Sequence, residues 1–252
     1  MIMERSDAVA DDHGAGRVRF KDLCVDVGDL DAAAAFFGPL LGLEQQERRD
    51  AVLLLGDDVA EHAVWLNLVP EPRTVKNRVH LDVDVAAVDD VLALDARVLD
   101  ASQPWTVLTQ DQAGELCVFV RPPDRLRPYR LYELVVDCAD PWAVGAWWAE
   151  RFGVELQDDG EVVWLDGGPD GRPATTSGLP WELVFAAVPE RKRVKNRVHF
   201  DVEGSTAALL EAGATLLRAQ DDEVAWDVLA DPEGNEFCVF APGKGGAGNP
   251  RP

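Results

Sequence analysis

Short runs in which apolar and polar residues alternate punctuate the chain, separated by stretches of helical spacing. Leu23, Val25 and Val27 alternate with Asp22, Cys24 and Asp26, which predicts a strand with one buried face. Asp29 stands at a helix N-cap position ahead of Ala32–Ala35, Phe36, Phe37, Leu40 and Leu41, and Gly42 ends that helix. Runs at 51–56 and 63–69 predict strands. Val79, Leu81, Val83 and Val85 share one strand face, a helical pattern covers 88–99, and 105–108 and 115–120 form a hairpin about a turn at 110–114.

The same order then restarts. Leu134, Val136 and Cys138 mark a strand, and Asp140-Pro141 starts a helix carrying Val144, Trp147, Trp148 and Phe152, closed by Gly153. Strands at 162–165 and 181–188, a helix at 205–211 and a hairpin of 225–229 with 236–240 complete the pass.

The restart is an internal duplication. Residues 75–83 read Val-Lys-Asn-Arg-Val-His-Leu-Asp-Val and residues 194–202 repeat them except that Phe200 replaces Leu81, at an offset of 194 − 75 = 119. Phe36-Phe37 matches Trp147-Trp148, Trp105 matches Trp226, and Glu115, Cys117 and Phe119 match Glu236, Cys238 and Phe240. Two domains follow, 17–122 and 128–242, joined by a Pro/Arg-rich linker at 123–127. The polar ends, 1–16 and 243–252, are expected to be disordered. Each copy is doubled again, as a strand–helix–strands unit followed by a second.

The 252-residue length suits two domains, and the net charge of −22 argues against a nucleic-acid surface. No apolar run approaches the roughly 20 residues that span a bilayer, so no membrane partner is expected and a cytoplasmic location is the default. The four cysteines show neither a zinc-ribbon spacing nor a disulfide framework.

Alternation places chemistry opposite the apolar faces. Lys76, Arg78, His80, Asp82 and Asp84 share one face, as do Lys195, Arg197, His199, Asp201 and Glu203. Asp22, Cys24 and Asp26, or Glu133, Val135 and Asp137, line the first strand of each copy; Glu115 with Cys117 and Glu236 with Cys238 line the last. If the strands of each copy curve together, each copy builds its own concave sheet holding a carboxylate, a histidine and a cysteine, a donor mix suited to a divalent transition metal. His80 and His199 are the catalytic candidates. Arg78, Arg197, Asp82, Asp201, Glu115 and Glu236 are candidates for substrate contact. Bland readings stand beside these: histidines hydrogen-bonded to neighbouring Asp or Arg, cysteines acting as small buried apolar groups, and the basic run Arg191–Arg197 as a solvated strand start instead of a lure for carboxylate or phosphate.

The Asp140-Pro141…Trp147-Trp148…Phe152-Gly153 segment, the repeated Val-Lys-Asn-Arg-Val-His stretch and Asp231-Pro232-Glu233-Gly234-Asn235-Glu236-Phe237-Cys238 resemble the glyoxalase/bleomycin-resistance-like domains of the vicinal oxygen chelate superfamily. The resemblance implies an α+β fold of tandem domains, each a pair of βαβββ modules forming a concave mixed sheet. It implies metal-ligand positions at Asp22 and Glu133, His80 and His199, and Cys117 and Cys238. The remaining position falls near Asn67 and Ala186, where the chain departs from the metal-binding pattern. The implied cofactor is a divalent metal of open identity, or none. The implied partner is a small-molecule ligand or substrate, bound by a monomer (a pseudo-dimer of domains) or a homodimer. Two functions stay open: an enzyme of lyase, isomerase or dioxygenase type with a His-centred site, and a non-catalytic protein that sequesters a drug or metabolite. In a further version one copy is an inactive partner, and Ala186 points to the second.

Overall fold

The structure, a computed structural model, describes residues 16–56 and 59–242. The ends expected to be disordered lie outside the described residues apart from Gly16.

Four βαβββ modules follow one another. The first comprises β1 (Arg19–Val27), α1 (Leu30–Leu41), β2 (Glu44–Glu47), β3 (Ala51–Leu55) and β4 (Val64–Leu68). The second comprises β5 (Val79–Val85), α2 (Val88–Leu92), β6 (Arg97–Asp100), β7 (Thr106–Gln110) and β8 (Gly114–Val120). The third comprises β9 (Leu131–Cys138), α3 (Pro141–Phe152), β10 (Gln157–Asp158), β11 (Val163–Leu165) and β12 (Glu182–Ala187). The fourth comprises β13 (Val198–Glu203), α4 (Thr206–Glu211), β14 (Thr215–Arg218), β15 (Asp227–Ala230) and β16 (Glu236–Phe240).

The helix boundaries follow from local chemistry. The Asp29 carboxylate accepts the Ala32 N–H, and Gly42 closes α1 at φ 74°. Asp140 accepts the Ala143 N–H, Pro141 opens α3, and Gly153 closes it at φ 66°. Each cap satisfies end groups that the helix cannot, and glycine takes the left-handed conformation without a Cβ clash. The helical pattern expected over 88–99 is shorter than its spacing suggested. The chain leaves α2 after Leu92, Asp95 turns it at φ 64°, and Arg97–Asp100 becomes an edge strand.

The modules form two eight-stranded mixed sheets, ordered β14-β15-β16-β13-β1-β4-β3-β2 and β10-β11-β12-β9-β5-β8-β7-β6. The α+β class and the paired βαβββ modules are therefore present, but the pairing crosses the copies. The first module joins the fourth through antiparallel β1 and β13, and the second joins the third through antiparallel β5 and β9. The expectation that each copy closes its own concave sheet is thereby corrected. Chain connectivity gives the reason: residues 121–130 turn the chain from β8 directly back alongside β5, whereas residues 69–78 carry it from β4 to the other sheet.

One connected apolar core joins both sheets and all four helices, with Leu23, Phe36, Val83, Val91, Trp148, Phe200 and Leu209 among its members. Trp148 packs edge-on to Phe200 and Phe237 at 4.8 and 4.9 Å between ring centroids. Because this core seals the helical sides of the sheets, the opposite concave faces carry the polar residues.

The repeated Lys-Asn-Arg segment ties the copies together. Lys76 Nζ donates to Asp137 at 3.0 Å and Arg78 donates to the Glu190 carbonyl; at the equivalent places Lys195 pairs with Asp26 and Arg197 donates to the Glu71 carbonyl. Asn77 and Asn196 are buried and anchor the strand starts, Asn77 through the Ala113 carbonyl at 2.8 Å and Asn196 through Asn235 at 3.1 Å. His62 is likewise structural, stacked on Tyr129 at 4.1 Å with Nε2 2.6 Å from the Gly171 carbonyl.

Candidate functional site

Register assigns the concave residues to two clefts. In the β5–β12 sheet, Glu182 pairs with Glu133, Glu133 with Asp82, and Asp82 with Cys117. The four side chains thus form one row across β12, β9, β5 and β8. His80 occupies the next row, opposite Val135. In the β1–β16 sheet the corresponding row runs from Asp22 through Asp201 to Cys238, and the next contains Trp65, Cys24 and His199.

The sequence candidates are therefore dealt between the clefts in a new combination. Glu133 joins His80, Asp82 and Cys117, while Asp22 joins His199, Asp201 and Cys238. Arg78 and Arg197 belong to the clamps between copies and line neither cleft. Glu236 is held by Lys192 at 2.7 Å and by the Asn196 N–H at 3.1 Å, and Glu115 lies 3.9 Å from Lys76. Glu182 is not among the residues that the sequence singles out, and Cys24 is named there only for its strand face. Glu182 shares a face with Ala186, four residues on, so alternation in 181–188 held the signal. Cys24 lies opposite His199, a relation that appears only once β1 is paired with β13.

The cleft of the β5–β12 sheet has a volume of about 540 Å³. Its walls are Trp105 stacked on Phe119 at 5.8 Å, Tyr132 edge-on to Phe119 at 5.4 Å, and Trp164. On its floor His80 Nδ1 lies 3.0 Å from Asp82 Oδ1, and Nε2 lies 3.8 Å from Asp137 Oδ1. Burial alone would lower the His80 pKa, but hydrogen bonds to Asp137 and Asp82 outweigh it and raise the pKa well above the ordinary imidazole value. Glu133 is pushed up to about 7, first by burial and then by the charges of Asp82 and Glu182. Burial also raises Glu182 and Cys117, so Cys117 is a thiol, not a poised thiolate.

The second cleft is partly filled by its own side chains and keeps about 300 Å³. Trp65 stands where the first cleft has Val184, and Ala63 where it has Glu182, as matching registers on β4 and β12 show. Cys24, Ala51, Leu53, Ala63 and Trp65 pack there as a small separate apolar cluster. A bulge in β1 skips Lys21 in the pairing with β13, just as the bulge in β9 skips Tyr132 in the pairing with β5. Bulges redirect a side chain, and here the redirected residues differ. Lys21 pairs with Asp22 and lies 4.4 Å over the Phe240 ring, and Trp65 Nε1 also donates to Asp22 at 3.3 Å. On this floor Cys24 Sγ is 3.5 Å from Asp201, and His199 Nε2 is 3.6 Å from Asp201 and 3.7 Å from Cys238.

Among the described residues, two groups place metal-competent atoms within 4.8 Å of one another: His80, Asp82 and Cys117, and Cys24, His199 and Asp201. Their nitrogen, oxygen and sulfur donors suit a transition metal. The first group fits a cation better. Its row adds Glu133 and Glu182, and a bound cation would offset both the burial and the neighbouring charges that raise the Glu133 pKa. In the second, Lys21 already supplies that charge to Asp22.

Known proteins share the paired βαβββ modules. The glyoxalase-like domain family matches twice, over residues 22–119 and 133–240, and the chain belongs to that family. Its fold is the tandem vicinal-oxygen-chelate arrangement. Similar solved structures include glyoxalase I from Zea mays, with TM-score 0.61 and 14% identity over 89% of this chain and 92% of that one. A putative dioxygenase from Bacillus subtilis has TM-score 0.56 and 10% identity over 92% of this chain and 87% of that one. At these identities the likeness is one of fold. No curated protein matches the chain. No described helix is long and apolar enough to cross a membrane.

Proposed function

We propose that the protein is a metal-dependent enzyme of lyase, isomerase or dioxygenase type acting on a flat, largely apolar small molecule in the β5–β12 cleft. The observation that carries this reading is the row Glu182–Glu133–Asp82–Cys117 beside His80 at the base of an open, aromatic-walled cleft. Asp82, Glu133 and His80, the last after giving up the proton that its aspartates hold on it, would hold a divalent metal, with Glu182 or Cys117 completing the set. Bound there, such an ion acts as a Lewis acid that polarises a substrate oxygen.

The chain's own residues do the rest. Trp105, Phe119, Tyr132 and Trp164 exclude water and orient a planar ligand by stacking. Glu182 sits beside Glu133 with its pKa raised by burial, and when Cys117 completes the metal set Glu182 is the carboxyl left to take or give a proton. The second cleft, partly filled by Trp65 and neutralised by Lys21, serves as structural support. The division into a working and a supporting unit therefore runs between sheets, not between copies.

The aromatic walls also suit a protein that only sequesters its ligand. The test is a panel of planar aromatic and carbonyl compounds, presented with and without divalent metals to the wild type and to His80→Ala. Turnover that needs metal and vanishes in the variant supports the enzyme. Saturable binding with no turnover under any metal would replace it with the sequestering protein.

A further inference from the structure

Most of the basic run 191–197 lies outside the clefts; only Lys195 reaches the rim of the filled one. The segments 69–78 and 188–197, which cross between the sheets, instead meet around a separate groove of about 680 Å³. Lys76, Arg78, Arg191 and Arg193 line it against two acidic residues, Asp137 and Glu190. Beside it a smaller hollow of about 250 Å³ adds Arg73 and Arg197.

Lys76 and Arg78 are engaged by the fold, through Asp137 and the Glu190 carbonyl, but two of the four cations are not. Arg191 and Arg193 are exposed and form no hydrogen bond or ion pair with any described residue. Arg78 spends an Nη on the Glu190 carbonyl, while its buried Nε has no partner. The chain carries 46 acidic residues against 24 basic ones, so acidic partners are plentiful elsewhere on it. With four cations against two carboxylates on its lining, and Arg191 and Arg193 unpaired, the groove carries a local positive field against the global one, and low-dielectric walls concentrate that field.

We propose that this groove between the copies binds a small, multiply charged oxyanion, a phosphoryl or dicarboxylate group held by Arg191 and Arg193 with Lys76 and Arg78 behind them. Guanidinium forks match both groups in bidentate geometry. The site is separate from the cleft and does not depend on its function. A contact joins the two, because Lys76, on the groove wall, is paired with Asp137, which faces His80 Nε2.

Isothermal titration at low ionic strength tests it, with inorganic pyrophosphate and succinate as separate probes of the phosphoryl and carboxylate sources. The proteins compared are wild type, Arg191→Ala/Arg193→Ala, and the control Arg48→Ala/Arg49→Ala, which removes the same charge from an exposed site outside the groove. Expected is saturable 1:1 binding of at least one probe, weakened tenfold or more by the groove pair and changed less than twofold by the control. Binding of neither probe, or equal loss in both variants, would overturn the proposal.

Discussion

Asp82 of the first copy and Glu133 of the second lie directly opposite each other on antiparallel β5 and β9. Neither copy alone assembles this pair of carboxylates, and their closeness gives the cleft its chemistry. In the metal-free protein burial, joined by the charges of Asp82 and Glu182, raises Glu133 to about 7 from an ordinary 4.5. A raised carboxyl pKa means the folded state holds its proton longer than the unfolded one. Stability therefore falls as pH rises from about 4.5 to about 7 and is level above that. Glu133→Gln removes this loss. Urea unfolding of metal-free protein should show the variant more stable than wild type by on the order of 1 kcal/mol at pH 8, with the difference vanishing toward pH 5. A difference independent of pH would contradict a raised Glu133 pKa in the folded protein.

Trp65 and Val184 occupy equivalent registers on β4 and β12, and the bulkier residue marks the filled cleft. Val184→Trp should convert the working cleft into a copy of the filled one. Ligands found in the compound panel should bind at least tenfold more weakly, a loss of about 1.4 kcal/mol or more. Since the added ring enters open cleft volume and not packed core, the melting temperature should move by only a few degrees; unchanged affinity would show that ligands bind elsewhere.

Separated copies should be poor folders. Cutting between 122 and 128 leaves β1 without β13 and β5 without β9, so each fragment presents two long unpaired strand edges. Expressed singly, the fragments should self-associate or aggregate; refolded together, they should elute from a sizing column as a 1:1 complex. Two well-behaved monomers would contradict the crossed pairing.

Much of this was legible in the amino-acid order. Period-two alternation and the caps at Asp29, Asp140, Gly42 and Gly153 locate the central strands and long helices, because burial and capping leave a strong local signature. The edge strands β2, β6 and β14 were not legible, since every residue in them is exposed and no apolar period exists to read. The face holding His80 and Asp82 was also legible. Its companions were not, because strand partnership between modules is set by connection and packing, which leave no local mark. In the sequence Glu133 therefore reads with its own copy, and Ala186 stands at the ligand position instead of Glu182. The Lys-Asn-Arg repeat, read as part of a ligand face, is spent on clamping the copies together.

The central claim is that one cleft of the two holds a divalent metal, and counting metal atoms per chain tests it most directly. After loading with a divalent transition metal and desalting, wild type should carry one equivalent by plasma mass spectrometry. Loss of the imidazole in His80→Ala should empty the protein, while His199→Ala and the conservative His199→Asn should keep the full equivalent. A metal-free wild type, or a count that follows His199 instead of His80, would contradict the account.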